Sequence, residues 1–123
     1  LSTFNQLGIS LRKQGRWQDA ITEYKNALKI APRAEGLFYN IGMAFAEGKD
    51  YEAAIQHMQK ALSINPDLPK GSASLAYNMG MVFSLGYTRD KALQCLEICL
   101  EIDPKHEGAQ RALERIREAD KNA

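Results

Sequence analysis

Apolar and polar positions along this chain recur in blocks. Leu7 and Leu11 fall four apart, and Ala20, Ile21, Tyr24, Ala27 and Leu28 follow at steps of three and four. That spacing places each set on one face of a helix, so two amphipathic helices are predicted. The block then returns. Residues 4–24 have counterparts at 38–58 and at 76–96. Gly8, Gly42 and Gly80 come four residues after Phe4, Phe38 and Ala76, and twelve further on come Ala20, Ala54 and Ala92. Ala27, Ala61 and Cys99 follow, then Pro32, Pro66 and Pro104, which stand 34 and then 38 residues apart. Self-similar blocks of this period predict helix pairs stacked as a solenoid.

The punctuation agrees. Gly15, Gly48 and Gly86 are predicted to end the first helix of each pair. Asp50 and Thr88 are suitable N-caps for the second helix, whereas Arg16 at the matching place is not. Each proline closes its unit, because it cannot continue a helix interior. Gly8, Ala20 and Ala27 are small where two helices must approach closely, while Leu11, Phe45 and Phe83 fill the space between. One helix pair cannot bury its apolar face alone, so each unit needs a neighbour. Two stretches break the pattern. Four extra residues in the segment 65–78 are predicted to lengthen the first helix of the third unit by about one turn. Asp67 would cap it and Pro69 would sit in its first turn; the alternative is a flexible loop around Gly71, Ser72 and Ser74. In the tail, Glu114 stands where a fourth glycine would fall. Arg111, Arg115 and Arg117 make that helix polar, and Ala112, Leu113 and Ile116 leave a narrow apolar stripe, as in a helix that caps the last repeat.

The three units read Phe4-x2-Leu7-Gly8-x2-Leu11, Ala20-x3-Tyr24, Pro32; Phe38-x2-Ile41-Gly42-x2-Phe45, Ala54-x3-Met58, Pro66; and Ala76-x2-Met79-Gly80-x2-Phe83, Ala92-x3-Leu96, Pro104. Over nearly the whole chain this resembles the tetratricopeptide repeat, W-x2-L-G-x2-Y…A-x3-F…P. The resemblance implies an all-α fold: a right-handed α-solenoid of three helix-turn-helix units with a capping helix, about seven helices in all. The units would span about 1–34, 35–68 and 73–106, the cap about 107–120, within a single domain 1–123.

The resemblance also implies a non-catalytic protein-interaction module that holds a peptide or partner protein in a concave groove lined by first helices. The groove positions are Ser2, Asn5, Gln6, Ile9, Arg12 and Lys13 in unit one; Gly36, Tyr39, Asn40, Met43, Ala46 and Glu47 in unit two; and Ser74, Tyr77, Asn78, Met81, Ser84 and Leu85 in unit three. Of these, Asn5, Gln6, Ile9, Arg12, Tyr39, Asn40, Met43, Tyr77, Asn78 and Met81 are the expected binding residues. Gln6, Asn40 and Asn78 form an amide ladder able to bond a peptide backbone. Ile9, Met43 and Met81 form an apolar ladder, and Tyr39 and Tyr77 an aromatic pair; packing within the groove wall is the competing role. Family members that clamp the C-terminal carboxylate of heat-shock chaperones use Lys, Asn, Asn, Lys and Arg. The matching residues here are Asn5, Ile9, Asn40, Ser74 and Asn78, and only Asn40 agrees. Without the cations, no carboxylate clamp is expected. The wording of units one and two is also similar to repeat segments attached to bacterial response-regulator receiver domains, which would place this chain within a larger bacterial protein.

Composition narrows the partners. Sixteen basic and 15 acidic residues give a net charge of +1, so neither nucleic acid nor an anionic membrane is an expected partner. No apolar run approaches the ~18 residues of a membrane span. No signal peptide opens the chain, and Leu1 in place of an initiator Met is read as a start inside a longer protein. Cys95 and Cys99, four apart on one helix, are poorly placed for a disulfide; they read as buried apolar groups of a reducing, cytoplasmic compartment. His57 and His106 are isolated and read as surface or core-edge residues. With no paired carboxylates, Ser-His-Asp set, phosphate loop or metal-ligand spacing, neither an enzyme nor a cofactor is expected. A second candidate interface is the stripe Cys95, Ile98 and Ile102 at i, i+3 and i+7. It serves either contact with the capping helix or self-association into a homo-oligomeric scaffold, the alternative function.

Overall fold

The structure, a computed structural model, describes residues 2–122; Leu1, Ala123 and the side chain of Ser2 lie outside the described residues. It divides into two compact units, 1–66 and 67–123. All regular structure among the described residues is helical.

Unit one holds α1 (Ser2–Lys13), α2 (Trp17–Ile30), α3 (Glu35–Glu47) and α4 (Tyr51–Ile64). α1 pairs with α2 and α3 with α4; α2 packs on α3, and α1 also touches α3. The glycines sit where helices cross. A β-carbon on Gly8 would run into the Tyr24 ring, and one on Gly42 would lie 3.1 Å from both the Ala54 carbonyl oxygen and the Met58 Cε. Tyr24, Ala20 and Ala27 are fully buried in a core completed by Leu11, Ile21, Leu37, Ile41 and Ala44. Each of the larger side chains stabilises the unit by about 1.5–3 kcal/mol relative to exposure. Leu7, expected on the same apolar face as Leu11, is instead 46% exposed.

Gly48 stands at the C-cap of α3, where the sequence reading ends that helix, but the left-handed residue of the turn is not always the glycine. Gly15 has φ +79, a left-handed conformation that suits glycine. Gly48 does not: its φ is −80, and the left-handed residue is Lys49 at φ +65. Gly48 is small for another reason, since a β-carbon there would strike the Trp17 indole. Asp50 caps α4 by accepting from the Ala53 N–H at 3.2 Å. Arg16 makes no cap and pairs with Asp19 at 2.9 Å.

Unit two begins with a 3₁₀ turn, Leu68–Gly71, followed by α5 (Ala73–Leu85), α6 (Arg89–Ile102) and α7 (Glu107–Lys121). The extra residues therefore do not lengthen the first helix: α5 has 13 residues, as α3 does. Ser72 separates the turn from the helix. Its backbone is extended (φ −164), and its hydroxyl caps α5 by accepting from the Leu75 N–H at 3.0 Å. A side-chain cap of this kind outcompetes continuation of the helix across it. The turn is not a loose loop either: Pro69 is buried, and the turn packs on α5 and α6. Asp67 precedes it without a side-chain cap.

α5 crosses α6 at Gly80, whose β-carbon would lie 2.9 Å from Leu96 Cγ. Gly86 has φ −92 and Tyr87 takes the left-handed place at φ +62, so the turn repeats the Lys49 arrangement. Thr88 occupies the N-cap position of α6 but its side chain makes no cap bond. His106 caps α7, its Nδ1 accepting from the Ala109 N–H at 3.0 Å. α7 buries Ala109, Ala112 and Leu113 against Ala76, Leu96 and Cys99, with Ile116 packed at the edge.

Candidate functional site

In unit one the first helices α1 and α3 lie side by side, and several expected binding residues turn to one another. Asn40 Nδ2 donates to Asn5 Oδ1 at 2.9 Å. Arg12 Nη1 pairs with Glu47 Oε1 at 2.7 Å, with both side chains about a quarter to a third exposed (24% and 35%). Arg12 Nε and the Tyr24 hydroxyl are both buried without a hydrogen bond of good geometry, yet close enough for each to feel the other. Burial, the largest single influence, opposes the Arg12 charge, but the bonds and fields of Glu47 and Tyr24 together outweigh it and the guanidinium is held above its ordinary pKa. Burial also raises the Tyr24 hydroxyl, against the lowering field of Arg12. Tyr39 is buried, at 9% exposure. What faces outward is Gln6, exposed, with Ile9 and Met43 half-buried. Arg12 and the Asn5–Asn40 pair thus brace α1 against α3, and Glu47 is the partner that sequence reasoning missed. Its signal was an opposite charge among the groove positions of the next unit.

Unit two presents a different surface. The Tyr77 ring lies against His106, centroids 4.7 Å apart, so this residue supports the cap of α7. Asn78 is half-buried. Met81 packs at the edge of the core and, with Ser84 and Leu85, faces Arg115, Ile116 and Ala119 across a concavity of about 280 Å³. A second hollow of about 190 Å³ shares Ser84, Ile116 and Ala119 and reaches Tyr87, Arg89 and Asp120. Leu85 is 48% exposed and Tyr87 95%. Arg89 forks onto Asp120, Nε to Oδ1 at 2.7 Å and Nη2 to Oδ2, which ties the start of α6 to the end of α7. Arg115 makes no ion pair or hydrogen bond among the described residues. It was readable from the register: Ile9, Met43 and Met81 each follow the repeat glycine, and Arg115 follows Glu114 in the same way.

The stripe Cys95, Ile98 and Ile102 is not an open surface. Cys95 is 3% exposed, and burial lifts its thiol from 9.0 to about 11. Ile98 packs against the core that α7 closes, and only Ile102, 45% exposed, stands outward. Both cysteines are free thiols. Among the described residues no three His, Cys, Asp or Glu side chains cluster as metal ligands, and no helix is long and apolar enough to cross a membrane.

Helix pairs crossing at glycines, with α1 beside α3, define a repeat protein of helical hairpins. The tetratricopeptide repeat family matches residues 5–69, just over half of the chain, and the chain belongs to that family. The photosystem I assembly protein Ycf3 of Rippkaea orientalis is 28% identical over 72 residues, and that of Synechococcus elongatus is 26% identical. These matches cover 56% of this chain and 42% of those proteins, so the chain spans less than half the length of these relatives. Among solved structures, MamA superposes with a TM-score of 0.80 at 24% identity, over 97% of this chain and 67% of that one. The first tetratricopeptide domain of Spaghetti (RPAP3), bound to the HSP90 peptide SRMEEVD, gives 0.80 at 21% identity, over 95% and 90%. The fold class is accordingly the all-α tetratricopeptide solenoid, a family of protein-interaction modules that is generally non-catalytic.

Proposed function

We propose that this chain binds a peptide or a partner protein on the face of its first helices. The carrying observation is the outward set on α1 and α3. Gln6 is exposed beside half-buried Ile9 and Met43, while the Asn5–Asn40 and Arg12–Glu47 pairs hold the two helices in place. An amide that bonds a backbone, next to adaptable apolar groups on a braced support, suits an extended peptide. In unit two, Asn78 and Met81 are the corresponding contacts. Tyr39 is buried in unit one, and Tyr77 lies against His106 in unit two. The chaperone peptide of the RPAP3 domain does not transfer, because the clamp cations have no counterpart at Asn5, Ser74 or Asn78. Free Cys95 and Cys99 suit a reducing compartment such as the cytoplasm.

The test is selection of a random nonapeptide display library on the whole chain, followed by anisotropy titration of the selected peptides. Gln6→Ala with Met43→Ala is expected to weaken binding about tenfold or more, the loss of one or two good contacts, with the melting temperature retained. Failure to select any peptide, or unchanged affinity in the double variant, refutes the reading. The scaffold alternative predicts mass that grows with concentration in light scattering and is lost in Ile102→Glu.

A further inference from the structure

The cleft between α5 and α7 has a size, a wall and a charge. Its 280 Å³ exceeds the ~150 Å³ that takes up benzene in an engineered core, and falls short of the ~300–1,000 Å³ of drug-sized ligands. It therefore suits one or two side chains and not a whole small molecule. Met81, Leu85, Ile116 and Ala119 make its wall apolar, and Ser84 lines both hollows. The charges around it are unequal. Arg89 and Asp120 neutralise each other, and Glu118 is taken by Lys121 at 3.7 Å. Of the charged residues lining the two hollows, Arg89, Asp120 and Arg115, only Arg115 has no partner among the described residues. An apolar seat with one free guanidinium on its rim complements an apolar side chain with a carboxylate close by.

We infer that the α5–α7 cleft seats an apolar side chain of a partner peptide and that Arg115 binds an acidic side chain next to it in that peptide. This rests on the proposed peptide-binding function and names the chemistry of the peptide's contact with unit two. Leu85 and Tyr87, both exposed, extend the seat along the direction of the second hollow. Ser84 is placed to bond the peptide backbone. A hydrogen bond from an ionised donor is about twice as strong as a neutral one, so the acidic neighbour decides which apolar segments are chosen.

The experiment is a methyl NMR titration of the whole chain, following Met81 and Ile116, with three tripeptide probes. These are acetyl-leucyl-glutamyl-leucyl amide, its glutamine counterpart, and that glutamine peptide with a free C-terminal carboxylate. The glutamate probe is expected to shift both methyls saturably and to bind at least about tenfold tighter than the glutamine amide, and Arg115→Glu is expected to abolish the difference. Leu85→Ser, at an exposed position, is expected to weaken both probes. Equal affinity for the glutamate and glutamine amides, no shift at these methyls, or an unaffected Arg115→Glu overturns the inference. So does tighter binding of the free-terminus probe, which would assign Arg115 to a chain end. Shifts that grow with protein concentration alone would assign the cleft to a second copy and also overturn it. These outcomes are read at unit two with defined probes, so they stay separate from the library selection and the Gln6 and Met43 variants.

Discussion

Replacing Tyr87 by glycine is expected to stabilise the protein. Tyr87 holds φ +62, a left-handed conformation that costs an L-residue about 1–2 kcal/mol because its β-carbon crowds the following carbonyl. Its ring offers nothing in return through burial, being 95% exposed. The turn's own bonds, Tyr87 N–H to the Ser84 carbonyl at 3.1 Å and Thr88 N–H to the Phe83 carbonyl at 2.8 Å, involve only backbone and survive substitution. Glycine removes the crowding but adds about 0.5–1 kcal/mol of unfolded-chain entropy, so the net gain is about 0.5–1 kcal/mol, or about 2–5 °C in melting temperature for a chain of this size. Tyr87→Ala is the control, since it deletes the ring and keeps the β-carbon, and it should change stability by less than about 0.5 kcal/mol. Gly15→Ala, at φ +79 in the matching turn of unit one, should destabilise by about 1 kcal/mol. Urea titrations of the three variants followed by circular dichroism measure all of this. A Tyr87→Gly midpoint no higher than that of Tyr87→Ala would refute the strain argument.

Other substitutions probe the crossings, the caps and the buried thiol. Gly80→Val forces Leu96 aside at the α5–α6 crossing and is expected to destabilise by about 1–3 kcal/mol in the same titration. Asp50→Ala removes a real cap and should cost about 1 kcal/mol. Thr88→Ala removes none and should stay within about 0.5 kcal/mol, so equal effects at the two sites would contradict the cap geometry. The Cys95 thiol is raised from 9.0 to about 11 in the fold, so its contribution is intact below pH 9 and disappears as pH rises from 9 to about 11. Tyr24, also raised by burial, acts in the same direction above its ordinary value of 10.0. Cys95→Ala should flatten the stability profile between pH 9 and 11, and an unchanged alkaline slope would remove Cys95 as its cause.

Features set by one close contact inside a helix pair were legible in the sequence. Gly8, Gly42 and Gly80 could be placed at crossings because a β-carbon there has nowhere to go, whatever surrounds the pair. Features set by a more distant partner were not. Gly48 ends α3 as read, but it is also small to admit Trp17 from another helix, and Lys49 takes the left-handed place in the turn. In the inserted segment the sequence reading takes Asp67 as the cap and Ser72 only as part of a loop, although both are good N-cap types and propensity does not rank them. Burial of Pro69 against α5 and α6 goes with the Ser72 solution, a closed turn followed by a helix of ordinary length. The site divides along the same line. Register groups the expected binding residues on the first helices, but does not say which of them bond one another. Asn40 pairs with Asn5 while Gln6 stays exposed. The tail shows the converse. Its arginines and Glu114 mark it as a polar cap, and its register also continues the Ile9–Met43–Met81 ladder into Arg115. α7 therefore carries a cation at the register position where α1, α3 and α5 carry an apolar side chain.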